Sequence, residues 1–539
     1  MKLENPPRFA GVLEVNKTSI HTLSKGFRVN DKLRKQLRKR KQKLLKRISV
    51  AGGRWKSPMI RPGTTKLQLA EKQQAVHCGG LALINPLIKV TELRKHINQA
   101  VSVFKLHLPY DEADHVLNIA MNLLAGGKCL EHLEDRRNDE AYLDALGAER
   151  IPDPTTAGDF CRRFSGVQLI HFFHGINQAR QIVWKQQEES FFDQATIEAD
   201  GTMVETTGEK KHGIGINHKG QWGYHPLVIT LAETRELLYL ANRSGNRPSS
   251  EHAHFYFDLA IAQCKKAGFR KILLRGDTDF SCSGHLDRWD EDGVDFILGF
   301  DANRTLVKKA EELPQSAWKP LSRETQQSGS PRAKRENIKE QIVVANEYEN
   351  QRLRAESYAE FPYRPQACGK TYRMIVVRKE IDVTSGQMYL FDKERYFFYI
   401  TNEPAEEVTP REVIRGGNKR CDQENTISQL KACGALAAPL DNLESNWAYM
   451  AFASLAWTLK LWSGMLVRVK GNPGQRRVRR ATRHRVIRME FATFLNSLML
   501  VPAHVIRSSR QTTFRLLTYR PSIDLLFTLH DHVRLPMRC

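Results

Sequence analysis

The chain has no two cysteines at the close spacing of a closed zinc site. Its nine cysteines (Cys78, Cys129, Cys161, Cys264, Cys282, Cys368, Cys421, Cys433 and Cys539) are scattered and odd in number. Reduced thiols fit that pattern better than a disulfide framework. A long apolar run is missing too. The most apolar stretch, Ala451 to Val469, carries Lys460 and Arg468 and is broken by polar residues. A membrane span needs about 20 nearly uninterrupted apolar residues, so this stretch reads as a buried helix. The opening, MKLENPPRFAGVLEV, lacks the continuous apolar core of a secretory signal. No internal repeat is visible. The expectation is a soluble, cytoplasmic protein.

Acidic residues are scarce relative to basic ones. Against 83 Lys and Arg stand 60 Asp and Glu, a formal charge of +23. Such an excess steers a protein toward polyanions, nucleic acid first among them, and says nothing about fold. With 539 residues, 41% of them hydrophobic, there is material for two or three cores. The charge is concentrated. Lys32 to Arg47 holds ten Lys or Arg in sixteen positions, read either as a basic helix or as a solvated tail. Residues 468–488 hold nine Lys or Arg and no acid, a stretch suited to tracking a phosphate backbone.

Residues 1–65 form a basic N-terminal segment. Residues 66–188 show helical spacing, as in Leu117, Ile119, Ala120, Leu123 and Leu124, punctuated by Pro109, Gly126-Gly127 and Pro152-Asp153-Pro154. Short helices with a basic surface suit DNA binding or dimerisation. Near 191 the pattern turns to strands: Ala195 to Glu205, a glycine-bounded segment Gly213 to Gly223, Pro226 to Thr230, Leu237 to Ala241, then a helix over Ser249 to Ala267 and strands over Lys271 to Gly276 and Val294 to Leu298. That order predicts a mixed sheet with helices on its faces over 189–300, an α/β core. Residues 301–405 read as β-rich, with strands over Gln341 to Ala345, Tyr372 to Arg378 and Tyr396 to Ile400. Helices return over 406–470, notably Thr426 to Lys431 and Trp447 to Leu466, before a basic C-terminal region, 471–539. Trp447 and Trp457 lie along one apolar helix and read as core.

Three carboxylates stand out. Asp200 lies inside the first strand, in IEADGTMVE, where a charge needs a reason. Asp277 ends the strand of KILLRGDTDF, and ligand groups in such sheets gather beyond strand ends. Asp279 competes with it. Glu424 sits in KRCDQENTISQLK, a helix on which Arg420, Glu424 and Lys431 share a face at spacings of four and seven. Carboxylates from separate elements can hold the pair of Mg²⁺ ions used in phosphoryl transfer. Singly, each has a plain reading as a turn or surface residue.

The spacing Arg420, Glu424, Lys431 resembles the Tyr-Arg-Glu-Lys signature of DDE transposases in the insertion-sequence-4 superfamily, and the Asn425 that follows the Glu resembles its 1380-type group. Gly417 stands where that signature has its Tyr. ADGTMVET resembles the first-Asp strand, LLRGDTDFS the second-Asp motif, which selects Asp277 over Asp279, and LANRSGNRPSS the Arg-x-Gly-Asn loop. LLAGGKCLEHLEDRRNDEAYLDALG and PDPTTAGDFCRRF resemble the helical N-terminal region. The resemblance implies a ribonuclease-H-like core with a β-rich insertion, in which Asp200, Asp277 and Glu424 bind two Mg²⁺ ions, Mn²⁺ substituting. It implies cleavage at insertion-sequence ends and strand transfer into target DNA by a homodimer, in the nucleoid. Arg420 and Lys431 become candidate DNA contacts, and Arg243 either a phosphate contact or a structural turn residue. The competing expectations are a two-metal nuclease that does not join ends and an inactive DNA-binding relative.

Overall fold

The structure, a computed structural model, describes residues 31–50, 67, 74–105, 109–208, 210–322, 349–385, 388–508 and 511–537. The strand expected over Gln341 to Ala345 and most of the rest of the N-terminal basic segment lie outside these residues. The chain forms two compact units, one of Met1–Glu188 with Gln429–Cys539, the other of Glu189–Ser428.

The first unit is helical, as the spacing of apolar residues over 66–188 predicts. Its central rod, Leu443–Met465, is capped by Asn442, whose side chain accepts from the Ser445 N–H. Every residue from Ser445 to Met465 is buried, Trp447 and Trp457 included. Even Lys460 is buried: its Nζ donates to the Ile487 carbonyl at 2.7 Å and lies 4.1 Å from the centre of the Trp457 ring. An unpaired ammonium there would cost several kcal/mol. The rod packs against helices Glu112–Leu124, Gly166–Trp184 and Pro473–Arg488. The last of these carries the acid-free basic stretch. The basic run nearer the start is the helix Asp31–Val50. A three-stranded sheet of Ala75–Val76, Ala503–Ser508 and Gln511–Leu516 completes the unit. No helix among the described residues is long and apolar enough to cross a membrane, and Cys78, Cys129, Cys161, Cys264, Cys282, Cys368 and Cys433 are free thiols.

The elements of the second unit are numbered by themselves. They are β1 (Gln194–Gly201), β2 (Val204–Glu205), β3 (Gly215–Ile216), β4 (Trp222–Tyr224), β5 (Leu227–Leu231), β6 (Glu236–Ala241), α1 (Ala253–Ala267) and β7 (Lys271–Gly276). Then follow α2 (Leu286–Glu291), β8 (Asp295–Phe300), α3 (Arg304–Glu311), β9 (Lys319–Pro320), β10 (Glu349–Tyr363), β11 (Tyr372–Ser385), β12 (Met388–Thr401), α4 (Pro410–Asn418) and α5 (Cys421–Ala432). The strand expected over Ala195 to Glu205 is two, because the chain leaves the sheet at Thr202 and Met203, where the Thr202 N–H bonds the Pro226 carbonyl. The helix expected from Ser249 starts at Ala253, behind His252 in the left-handed region (φ 57°).

One nine-stranded sheet runs β9-β10-β11-β12-β8-β7-β1-β5-β6. Within it, β6-β5-β1-β7-β8 has its first strand central, antiparallel to β5 and parallel to β7, with β8 parallel beyond. This mixed α/β arrangement is the ribonuclease-H-like core that the resemblance implied. The long strands β10 to β12 continue the same sheet through the antiparallel pairing of β12 with β8. Helix α4 lays Val413 and Ile414 on Leu273, Ile297, Ile375 and Val377, from core and added strands alike. Each such side chain contributes roughly 1.5–3 kcal/mol on burial, enough to make the two parts one body.

Candidate active site

Asp200 lies near the end of the central strand β1, after a run from Ala195 to Ala199 that is buried throughout. Its Oδ1 accepts the Gly201 N–H at 2.8 Å. Asp277 follows β7, the strand parallel to β1, and its Oδ1 accepts the Asp279 N–H at 3.1 Å. Parallel neighbours end on the same side of a sheet, which brings the two aspartates together. Asp279 is exposed and takes part through its backbone.

Arg420 joins them. It stands at the junction of α4 and α5, just ahead of the helix that carries Glu424. Its Nη1 is 2.8 Å from Asp277 Oδ2 and 3.7 Å from Asp200 Oδ2, and its Nη2 is 3.5 Å from Glu424 Oε1. One guanidinium thus touches three carboxylates from three separate elements. Asp200 is mostly buried, whereas Glu424 is exposed. Burial pushes the Asp200 carboxyl up to about 6; Arg420 opposes the rise, while Asp277 and Glu424 add to it by repulsion. Asp277 is raised for the same first reason, with Arg420 pulling down and Asp279 pushing up.

Residues that sequence reasoning missed fasten this arrangement. Two positions before Asp200, and so on the same face of β1, is Glu198. It stands in register with Arg275, two positions before Asp277. The pair is almost wholly buried, Arg275 Nε donating to Glu198 Oε1 at 2.7 Å. Burial lifts Glu198 to about 7 against the pull of Arg275. Arg275 Nη1 also donates to the Gly416 carbonyl at 3.2 Å, in the last turn of α4. On α5, Asp422 pairs with Arg235 at 2.7 Å and Gln423 Nε2 donates to the Val228 carbonyl of β5 at 3.1 Å. The helix start that delivers Arg420 and Glu424 is therefore tied to β5, to β7 and to the β5–β6 turn. The sequence signal was a second charge two positions before each aspartate, Glu198 in TIEAD and Arg275 in KILLRGD.

Gly417 has a physical counterpart. A Cβ there would lie 2.5 Å from Cε1 of Tyr399, so the ring on β12 fills the space a side chain at 417 would use. Lys431 is exposed on α5, seven residues beyond Glu424 and past Ser428, where the second unit ends within that helix. Arg243 is buried. Its Nε donates to the His225 carbonyl at 3.0 Å, and its Nη1 to those of Pro248, Ser249 and Glu251 at 3.1, 2.8 and 3.0 Å. That geometry matches the structural alternative for Arg243, a residue that organises the loop around it.

All the converging donors are carboxylate oxygens, the set a hard divalent ion such as Mg²⁺ prefers. Burial and repulsion from neighbouring carboxylates raise Asp200 and Asp277, and a cation beside them opposes that rise, as Arg420 does, so the donor chemistry fits. Among the described residues no three His, Cys, Asp or Glu side chains form a ready-made metal cluster, and here a guanidinium stands among the three.

Comparison with known proteins places the chain. Among solved structures, a piggyBac transposase synaptic complex with hairpin DNA, determined by cryo-EM, is similar over 78% of this chain and 81% of that one, at 10% identity and a TM-score of 0.34. No curated protein matches. The model of the family described as transposase DDE domain, group 1, matches residues 73–537, which include Asp200, Asp277, Arg420 and Glu424. This chain therefore belongs to the group 1 DDE transposase family.

Proposed function

We propose that this chain is the transposase of an insertion sequence of the 1380-type group, with Asp200, Asp277 and Glu424 as its metal-binding catalytic residues. The observation that carries the reading is the convergence of these side chains, from β1, the end of β7 and α5, on the single guanidinium of Arg420. Asp200, Asp277 and Glu424 would hold two Mg²⁺ ions, or Mn²⁺ in their place. Such ions supply charge neutralisation for the attacking and leaving oxygens of a phosphate diester.

The chain's own residues do the rest. Burial keeps water from Asp200 and strengthens every charge interaction around it. Arg420 and Lys431 contact DNA phosphates near the cut, and Arg's planar fork suits that partner. The basic helices Asp31–Val50 and Pro473–Arg488 add sequence-independent attraction to the end. The substrate is the DNA of the terminal inverted repeats and then the target. A homodimer holds the two ends, and the protein works in the cytoplasm at the nucleoid.

The test is cutting of the inverted repeats that flank the reading frame, followed by joining to a target plasmid. Wild type should cut with Mg²⁺ and lose activity with chelator. Asp200→Asn, Asp277→Asn and Glu424→Gln should bind the ends yet leave them whole. Wild-type cutting by any of the three variants would remove that residue from the site. Cutting without joining would make the chain a nuclease.

A further inference from the structure

Between Gly201 and Leu227 the chain leaves the sheet and returns. Those two residues are register partners, as are Asp200 and Val228, so the excursion springs from the strand pair that carries Asp200. It folds into a small sheet of its own, β2-β4-β3. Its outermost pair is Ile216 opposite Trp222. Both are exposed, 43% and 51%. The turn between them, Asn217–Gln221, carries His218 and Lys219 and no acid.

The ribbon is held from below by the Arg-x-Gly-Asn loop, which the catalytic reading leaves unused. Ser244 bridges Tyr224. Gly245 N–H donates to the Gly223 carbonyl at 3.0 Å. A Cβ on Gly245 would lie 2.4 Å from the Gly215 carbonyl and 2.6 Å from that of Gly223, so only glycine fits beneath both strands. Arg243 and His225 bond reciprocally, His225 N–H to the Arg243 carbonyl at 2.7 Å and Arg243 Nε to the His225 carbonyl at 3.0 Å. A buried arginine and a glycine in close contact thus stiffen a ribbon whose tip is apolar and exposed. Ile216 and Trp222 stand together at that tip, both exposed to water.

We propose that Ile216 and Trp222 are a wedge that enters the DNA end beside the cleavage site and unstacks a base step there. The proposal rests on the transposase reading, because DNA is the occupant it commits to. A two-stranded ribbon fits a groove of duplex DNA. Apolar side chains pried between base steps unstack them, and tryptophan stacks on any base. Lys219 in the turn supplies one positive charge, beside Glu205 of β2, which accepts from Gln221 Nε2 at 2.6 Å. From Gly201 to Thr206, whose N–H bonds the Trp222 carbonyl, is roughly 15 Å of extended chain at about 3.3 Å per residue. At about 3.4 Å per base step, the wedge acts within roughly five steps of the phosphate at Asp200.

The test uses the full chain and duplexes of the flanking inverted repeats, with 2-aminopurine placed in turn at each terminal position. Without divalent metal, wild type should bind and brighten one or two positions. Trp222→Ala and Ile216→Ala should melt as wild type does and bind within about threefold, yet lose the brightening and cut at least about tenfold more slowly with Mg²⁺. Trp222→Phe should keep most of both. Brightening and cutting unchanged in Trp222→Ala would overturn the proposal, as would a wild type that cuts but brightens no position. A shift in the sedimentation of the DNA-free chain on Trp222→Ala would overturn it too, by making the ribbon a contact between copies. A wild type that neither binds nor cuts would instead sink the transposase reading, and this proposal with it.

Discussion

The ring of Tyr399 occupies the space in front of Gly417, its Cε1 2.5 Å from where a Cβ would stand. Tyr399 packs against the cluster that joins the added strands to the core, so the ring has little room to give. Gly417→Ala should cost roughly 1–3 kcal/mol by overpacking. Tyr399→Ala in the same chain should recover much of that loss. Denaturant titration of the two single variants and the double gives the coupling directly; additive losses would mean the contact is relieved some other way.

Arg420 should compete with any metal ion bound at these carboxylates. It is the cation already present among three carboxylates, 2.8 Å from Asp277, and a unit-charge pair 4 Å apart exchanges about 4 kcal/mol at an effective dielectric of 20. Arg420→Gln should tighten Mn²⁺ binding to the DNA-free chain by about tenfold or more. Isothermal titration reads this without reference to activity. Equal or weaker Mn²⁺ binding would show that the guanidinium leaves the carboxylates at no cost.

Asp200 makes the fold less stable as pH rises from about 4 to about 6. Its carboxyl sits at about 6 in the folded chain, against about 3.9 when unfolded. Between those values the folded chain holds more protons, so stability present below about pH 4 is lost as pH rises through about 6. Asp200→Asn removes that loss. Melting without divalent metal should find the variant more stable than wild type by ~1–3 kcal/mol at pH 8, the gap closing toward pH 4. A variant no more stable at pH 8 would place the burial cost elsewhere.

Arg243 should behave as a structural residue. Its guanidinium serves four carbonyls, a pattern that lysine cannot reproduce. Arg243→Lys should cost roughly 2–4 kcal/mol. It should leave the salt slope of DNA binding as it was, whereas loss of a phosphate contact would flatten that slope by about 0.9.

The sequence made legible what local pattern controls. Short apolar runs marked the core strands, and an acid inside one of them drew attention to Asp200. The four-residue step from Arg420 to Glu424 pointed to one face, and the two do meet, although Arg420 precedes the helix rather than riding on it. Contacts set by strand register were not legible. Glu198 meets Arg275 because β1 and β7 pair in parallel with those residues opposite, and nothing local to either segment states that pairing. The same holds for Tyr399 and Gly417, adjacent only once β12 and α4 have packed. Arg243 was ambiguous because an arginine in a turn looks alike in sequence whether its partner is a phosphate or its own backbone.

The first compact unit is assembled from both ends of the chain, Met1–Glu188 and Gln429–Cys539, with the second unit spliced between them. At a synthesis rate of about 5–20 residues per second, its opening segment waits on the order of 10–50 s for the partner sequence to emerge. That time is spent making the second unit, which is whole by its end. The surfaces that will bury Leu443–Met465 meanwhile stand uncovered on the nascent chain, so a ribosome that stops early releases a complete second unit and an unfinished helical one. Premature termination should therefore yield aggregates rather than a trimmed but usable protein.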